Sequence, residues 1–248
     1  MGRTRRDRSR RSPQTARRHD GLARRKVDGV DRLGVISRKV LSDDETLIHG
    51  NELLADVGVS GTSPKDRTGY TLDAVRSALD GISPPITGLK FTAWEWFVGY
   101  LVLDALVANT DRHQENWAVI EGQDRGRRLA PTFDHGSSLG FQLDDRDRTH
   151  RLETTDTTRA VPAYARRARS RFEATPHPIN LAHVAFGMVS REVRDHWLAR
   201  CDEIGPLQTI LDLVPNHRVT QIAKDFAAAL FDANRIQILS YPPGTVGT

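Results

Sequence analysis

The chain has 248 residues, 38% of them hydrophobic and 27% charged, which suffices for one sizeable folded domain or two small ones and excludes a wholly disordered chain. Its formal net charge is +4, but ten arginines and Lys26 against Asp7 and Asp20 put +9 into residues 1–26 and leave −5 for the remainder. The basic character therefore belongs to the N-terminus, and a single cysteine, Cys201, excludes an intramolecular disulfide or a cysteine-built zinc site and fits a reducing, cytoplasmic setting.

Residues 1–32 read as a basic, disordered leader, because the arginine run has almost no apolar residues with which to start a core. Salt-sensitive, non-specific contact with nucleic acid is its one expected interaction. No apolar core and cleavage site follow the run, so a secretory signal is not expected. Leu33–Leu41 alternates aliphatic residues with Ser37 and Lys39 and predicts a strand. Glu45–Val57 reads as helical in part, and Gly58–Gly69, rich in Gly, Ser, Thr and charge, reads as a loop. Thr71 is placed to cap a short helix over Leu72–Leu79, stopped by Gly81 and the Pro84-Pro85 pair.

Thr92 is the expected N-cap of a long helix from Ala93 to about Ala108, apolar on nearly every face and so destined for a lobe interior. Its apolar stretch, Phe97–Ala108, is broken by Gly99 and Asp104 and is too short to span a bilayer. A polar loop follows at Asn109-Thr110-Asp111. Trp117–Ile120 then predicts a strand, Gly122–Gly126 a turn, and Arg128–Ala130 a return strand leading into Pro131-Thr132-Phe133-Asp134. Gln142–Thr175 is polar and arginine-rich and reads as a mobile segment with one short helix near Ala163–Arg169. Helical periodicity returns at Ile179–Cys201 and Val219–Ile238.

The informative unit is Asn109–Trp117, NTDRHQENW, followed after the hairpin by Thr132–Gly140, TFDHGSSLG. Phosphoryl transfer from ATP to a hydroxyl needs a carboxylate that orients the hydroxyl and takes its proton, and oxygen ligands for the Mg²⁺ that neutralises the phosphates. A protein-kinase catalytic loop meets this with Asp and, five residues later, Asn, and with a further Asp downstream. Asp111, Asn116 and Asp134 have that order and spacing.

Asp111-Arg112-His113 with Asn116, and Leu129-Ala130-Pro131-Thr132-Phe133-Asp134 downstream, resemble the HipA-like serine/threonine kinases and, more distantly, the phosphatidylinositol kinases. The likeness runs over roughly residues 33–240 and is strongest between Asn109 and Gly140. It implies an α+β, mainly α fold: a protein-kinase-like C-terminal lobe with a small β-hairpin at the catalytic face, residues 241–248 being a tail. It further implies a toxin-type kinase that uses ATP and Mg²⁺ on a protein Ser or Thr. Asp111 would be the catalytic base, Asn116 and Asp134 the Mg²⁺ ligands, His113 a neighbour of the nucleotide phosphates, and Arg112 a brace for the loop. A protein substrate and an antitoxin-like or second-lobe protein are the partners implied, with no membrane.

Two parts of a working kinase are not evident. Gly29 and Gly34 do not make a Gly-x-Gly-x-x-Gly loop, and the family likeness begins near the hinge, so most of the N-terminal lobe is expected to be missing. Lys39 paired with Glu45 or Glu52 is one substitute for the nucleotide lysine; the alternative is a solvent-facing strand residue. The competing functional reading is a catalytically inactive lobe that binds a partner. A metal-dependent phosphohydrolase built on His113, Asp134 and His135 has fewer ligands than such sites use.

Overall fold

The computed structural model describes residues 21–242, apart from 38, 62, 64, 87, 124, 125, 175 and 176. The chain divides into two units, Met1–Ser42 and Asp43–Thr248.

In the first unit, β1 (Gly21–Val27) and β2 (Val30–Ile36) form an antiparallel hairpin in which Val27 faces Val30 across a two-residue turn. Asp28 and Gly29 have φ of +51° and +78°, the left-handed pair that a twisted hairpin requires and that Asp-Gly supplies at low cost. Arg24 is ion-paired with Asp31 on the same face. The strand expected at Leu33–Leu41 is thus β2, beginning and ending earlier, and its partner lies inside the stretch read as a leader. Residues 1–20 of that leader lie outside the described residues.

The second unit is helical around one three-stranded sheet. β3 (Glu45–His49), β4 (Ala118–Gly122) and β5 (Gly126–Leu129) are antiparallel in the order β3-β4-β5. The predicted hairpin is β4-β5; β3 and the helix after it share the stretch Glu45–Val57 that was read as helical in part. It pairs with β4 because its alternate residues Glu45, Leu47 and His49 register on Gly122, Ile120 and Ala118. Helix α1 (Gly50–Asp56) starts directly after it. A side chain at Gly50 would meet the Trp117 ring at 2.2 Å and the Gln114 carbonyl at 2.5 Å, so only glycine permits this turn over the loop before β4.

Helix α2 (Leu72–Ala78) is capped by Thr71, whose side chain accepts from the Ala74 N–H. In α3 (Ala93–Leu106) Thr92 and Glu95 form a reciprocal capping box, and eleven of its fourteen residues are buried. Its core packs with Leu181, Ala182 and Phe186 of α6 (Pro178–Phe186) and Phe231 and Ile238 of α9 (Gln221–Leu239). Gly99 faces the Trp197 ring of α7 (Arg191–Glu203), where a Cβ would come within 2.5 Å. The single helix expected over Ile179–Cys201 is therefore two, separated at residues 187–190, with the Ser190 side chain accepting from the Val193 N–H to start the second.

The segment read as mobile contains α4 (Asp145–Glu153) and α5 (Val161–Ala165). A second apolar cluster holds them: Val161, Ala165, Leu143 and Leu152 gather with Phe226 and Leu230 of α9. A short α8 (Leu207–Leu211) precedes α9. Tyr241, read as the start of a tail, packs its ring against His183 and Phe186. Among the described residues no helix is long and apolar enough to cross a membrane.

Candidate active site

The loop that ends α3 holds three of the candidate site residues, and a buried charge fixes it. Asp104, 3% exposed within an apolar helix, would be costly without partners. It has three: Arg112 Nε at 2.7 Å, an Arg112 terminal nitrogen at 2.8 Å, and Asn109 Nδ2 at 2.8 Å. Burial works against the Arg112 charge, but Asp104, helped by Tyr70 and Tyr100, outweighs it and holds the guanidinium above its ordinary pKa. The fork then reaches outward. It donates to the Asn116 carbonyl, to the Phe133 carbonyl at 3.3 Å, to Thr132 Oγ1 at 2.9 Å and to His135 Nε2 at 3.1 Å. Because Arg cannot accept, His135 must present its Nε2 lone pair. One side chain thus joins α3, the Asn109–Trp117 loop and the Thr132–His135 segment.

Backbone bonds complete the junction. Thr110 N donates to the Ser137 carbonyl at 3.3 Å, and Leu139 N to that of Val107 at 2.8 Å. Ala108, Asp134 and Leu139 all have φ between +51° and +54°, a concentration of left-handed non-glycine residues at one junction. Tyr70 donates to the Arg112 carbonyl at 3.2 Å, and Gln114 Nε2 donates to the carbonyls of Gly61 and Asp66 at 2.9 and 2.8 Å, tying the loop to residues 58–70. Burial drives the Tyr70 phenol far above its usual range, so it stays a neutral donor.

The four residues singled out in the sequence fall on this frame. Asn116, 5% exposed, donates Nδ2 to the Asp111 carbonyl at 2.7 Å; its Oδ1 takes no hydrogen bond among the described residues. Asp134 is exposed at the end of the segment held by Arg112, and its carboxylate has no bonded partner among the described residues. Asp111 is half-buried and accepts Arg171 Nε at 3.0 Å and an Arg171 terminal nitrogen at 2.8 Å, both on Oδ1. His113 is turned inward on its own loop: its Nδ1 accepts from the Glu115 N–H at 3.2 Å and its carbonyl from the Asn116 N–H at 3.0 Å. No bond joins it to Asp134 among the described residues.

Arg171, Asp104 and Thr132 were not assigned a part in the site by sequence, and His135 only as a ligand of the alternative hydrolase centre. Asp104 had a signal, a carboxylate inside an apolar run that must be paired. Arg171 had none, being 60 residues from Asp111 among many arginines.

The donor set suits a hard cation. Mg²⁺ takes one or two carboxylate or amide oxygens and completes its shell with water and phosphate, and the oxygens of Asn116 and Asp134 are those left without protein partners. No cluster of three or more His, Cys, Asp or Glu side chains placed to hold a metal occurs among the described residues, which removes the geometric basis for a His113–Asp134–His135 hydrolase centre.

No protein-family model matches the chain, and no curated protein does. Among solved structures it is similar to the Helicobacter pylori proinflammatory kinase CtkA, with 20% identity and a TM-score of 0.64 over 90% of this chain and 75% of that one. At this identity the likeness is one of fold, and the fold is kinase-like.

Proposed function

We propose that this chain is a Mg²⁺- and ATP-dependent kinase of the HipA-like type, transferring phosphate to a protein Ser or Thr. The observation that carries the proposal is the pairing of Asn116 with Asp111: the amide nitrogen is committed to the Asp111 backbone carbonyl, leaving one oxygen for a metal and fixing the backbone that bears the Asp111 carboxylate. The kinase-like fold supports the same reading.

In this reading Asp111 orients the acceptor hydroxyl and takes its proton as the phosphoryl group leaves ATP. Asn116 and Asp134 hold Mg²⁺, which supplies charge neutralisation at the phosphates when bound. Arg112 positions both ligand-bearing segments without touching substrate. His113 lines the same loop, its Nδ1 already engaged, so a nucleotide would meet Nε2.

The test is calorimetric titration with a non-hydrolysable ATP analogue, with and without Mg²⁺, alongside phosphate incorporation from ATP. Asp111→Asn should reduce transfer by about 10²-fold or more while nucleotide still binds. Asp134→Ala should remove the Mg²⁺ dependence of binding. Retained transfer in the first variant, or unchanged Mg²⁺ dependence in the second, overturns that residue's role.

A second reading, a non-catalytic lobe that binds a partner such as an antitoxin-like protein or a second lobe, is favoured by Arg171, whose two donors occupy Asp111 Oδ1. It predicts no Mg²⁺-dependent nucleotide binding to the isolated chain.

A further inference from the structure

A cavity of about 380 Å³ opens next to the Asn109–Trp117 loop. Thr110, the residue before Asp111, is in its wall, and neither metal-ligand candidate is. Arg67, Arg167, Arg169 and Arg171 surround it and no acidic residue lines it. Arg171 is committed to Asp111. Arg67, Arg167 and Arg169 are exposed and make no ion pair with a carboxylate among the described residues, Arg169 donating instead to the Arg167 and Ala168 carbonyls, so three arginines gather in the lining of one hollow. An anion entering it would meet positive charge with no carboxylate in the wall to compete.

α5 ends at Ala165, and beyond it Ser170 and Phe172 are buried at 4% and 1% while Arg169 is exposed and Arg171 partly so. Phe172 stacks on Tyr70 at 4.1 Å, and Glu173 N donates to the Tyr70 carbonyl at 3.0 Å, which pins this alternation. Arg169 and Arg171, on either side of the buried Ser170, both line the cavity. Phe141, 51% exposed, and Tyr164 add an apolar wall.

We infer that this cavity is the acceptor subsite and that it selects an extended peptide in which the reacting Ser or Thr is flanked by acidic residues; the inference rests on the kinase reading above. Cations spread along a segment, with an aromatic wall, suit the alternate carboxylates of an extended peptide better than a single compact phosphate. A carboxylate that enters also competes with Asp111 for Arg171, which would free the base as substrate arrives.

The experiment uses the full chain and short peptides with one serine flanked by Glu, Gln or Lys. Phosphate incorporation gives kcat/KM for each, and fluorescence anisotropy of labelled Ser→Ala versions gives binding without turnover. The Glu peptide is expected to exceed its Gln counterpart by about tenfold or more in both readouts, falling with salt, and the double variant R167Q/R169Q to abolish that preference. Transfer without acidic preference overturns the subsite and leaves the kinase reading intact. Binding of the Glu peptide through Arg167 and Arg169 with no transfer to any peptide supports the subsite and overturns the kinase reading. Binding of phosphoinositide vesicles through the same arginines, with no peptide binding, overturns the acidic-peptide assignment in favour of a lipid headgroup.

Discussion

Arg112 is 2% exposed and meets Asp104 with two donors, so removing it leaves a carboxylate stranded inside a helix bundle. Arg112→Met should lower unfolding free energy by about 3–5 kcal/mol in urea titrations, because the Asp104 charge keeps its desolvation cost without its partner. Adding Asp104→Leu should recover most of that loss, whereas phosphoryl transfer should stay absent, since no fork then joins Asn116 to Phe133. Equal stability of single and double variants would show that the pair is not what binds the loop. At this scale the sequence was readable where chemistry imposes a short spacing: Asp111 and Asn116 are five apart, and the Arg112 brace lies between them. It was silent where partners are distant in the chain, as for Arg112 with Thr132 and His135, because nothing local forces those residues to meet.

Elements declared themselves when both a cap and a period were present. Thr92 and Thr71 mark helix starts that the structure keeps. Asp28-Gly29 is an equally strong hairpin signal, but the strand before it, GLARRKV, lacks the alternating apolar face that marks a strand. α4 has no buried residue, so hydrophobic periodicity could not reveal it; Asp144 caps it and α9 receives it. Burial lowers the imidazole pKa of both His177 at the start of α6 and His183 within it. The unfolded chain then binds protons first on acidification, so stability is full above the ordinary value of 6.5 and falls as pH drops through it toward the depressed folded values. Thermal melts should shift down between about pH 7.5 and pH 5.5, and His183→Phe, which keeps the ring between Phe186 and Tyr241, should reduce that shift. A pH dependence unchanged by the substitution would remove His183 from the account.

The whole molecule combines two units of unequal substance. A lone two-stranded hairpin carries little independent stability, while α3 lies in the middle of a large apolar cluster. Hydrogen exchange followed by mass spectrometry should find β1 and β2 among the fastest amides and Val98–Leu106 among the slowest; comparable protection would mean that the hairpin is stabilised by more than its own pairing. The α+β, kinase-like fold was legible because buried helix, polar loop, hairpin and carboxylate follow in a fixed order. The three-stranded sheet was not, because β3 is supplied from 69 residues before its partner begins to pair. One helix draws the second unit together: α9 puts Phe226 under Gly140, where a Cβ would come within 2.5 Å of the ring, sends Asn234 Nδ2 to the Leu106 carbonyl just before the candidate loop, and seats Ile238 in the main core. In genetic terms, a premature stop ahead of Gln221 would score as an active-site null although every residue of the site was still translated. Missense alleles along the inner face of α9 would sort with those of Asp111.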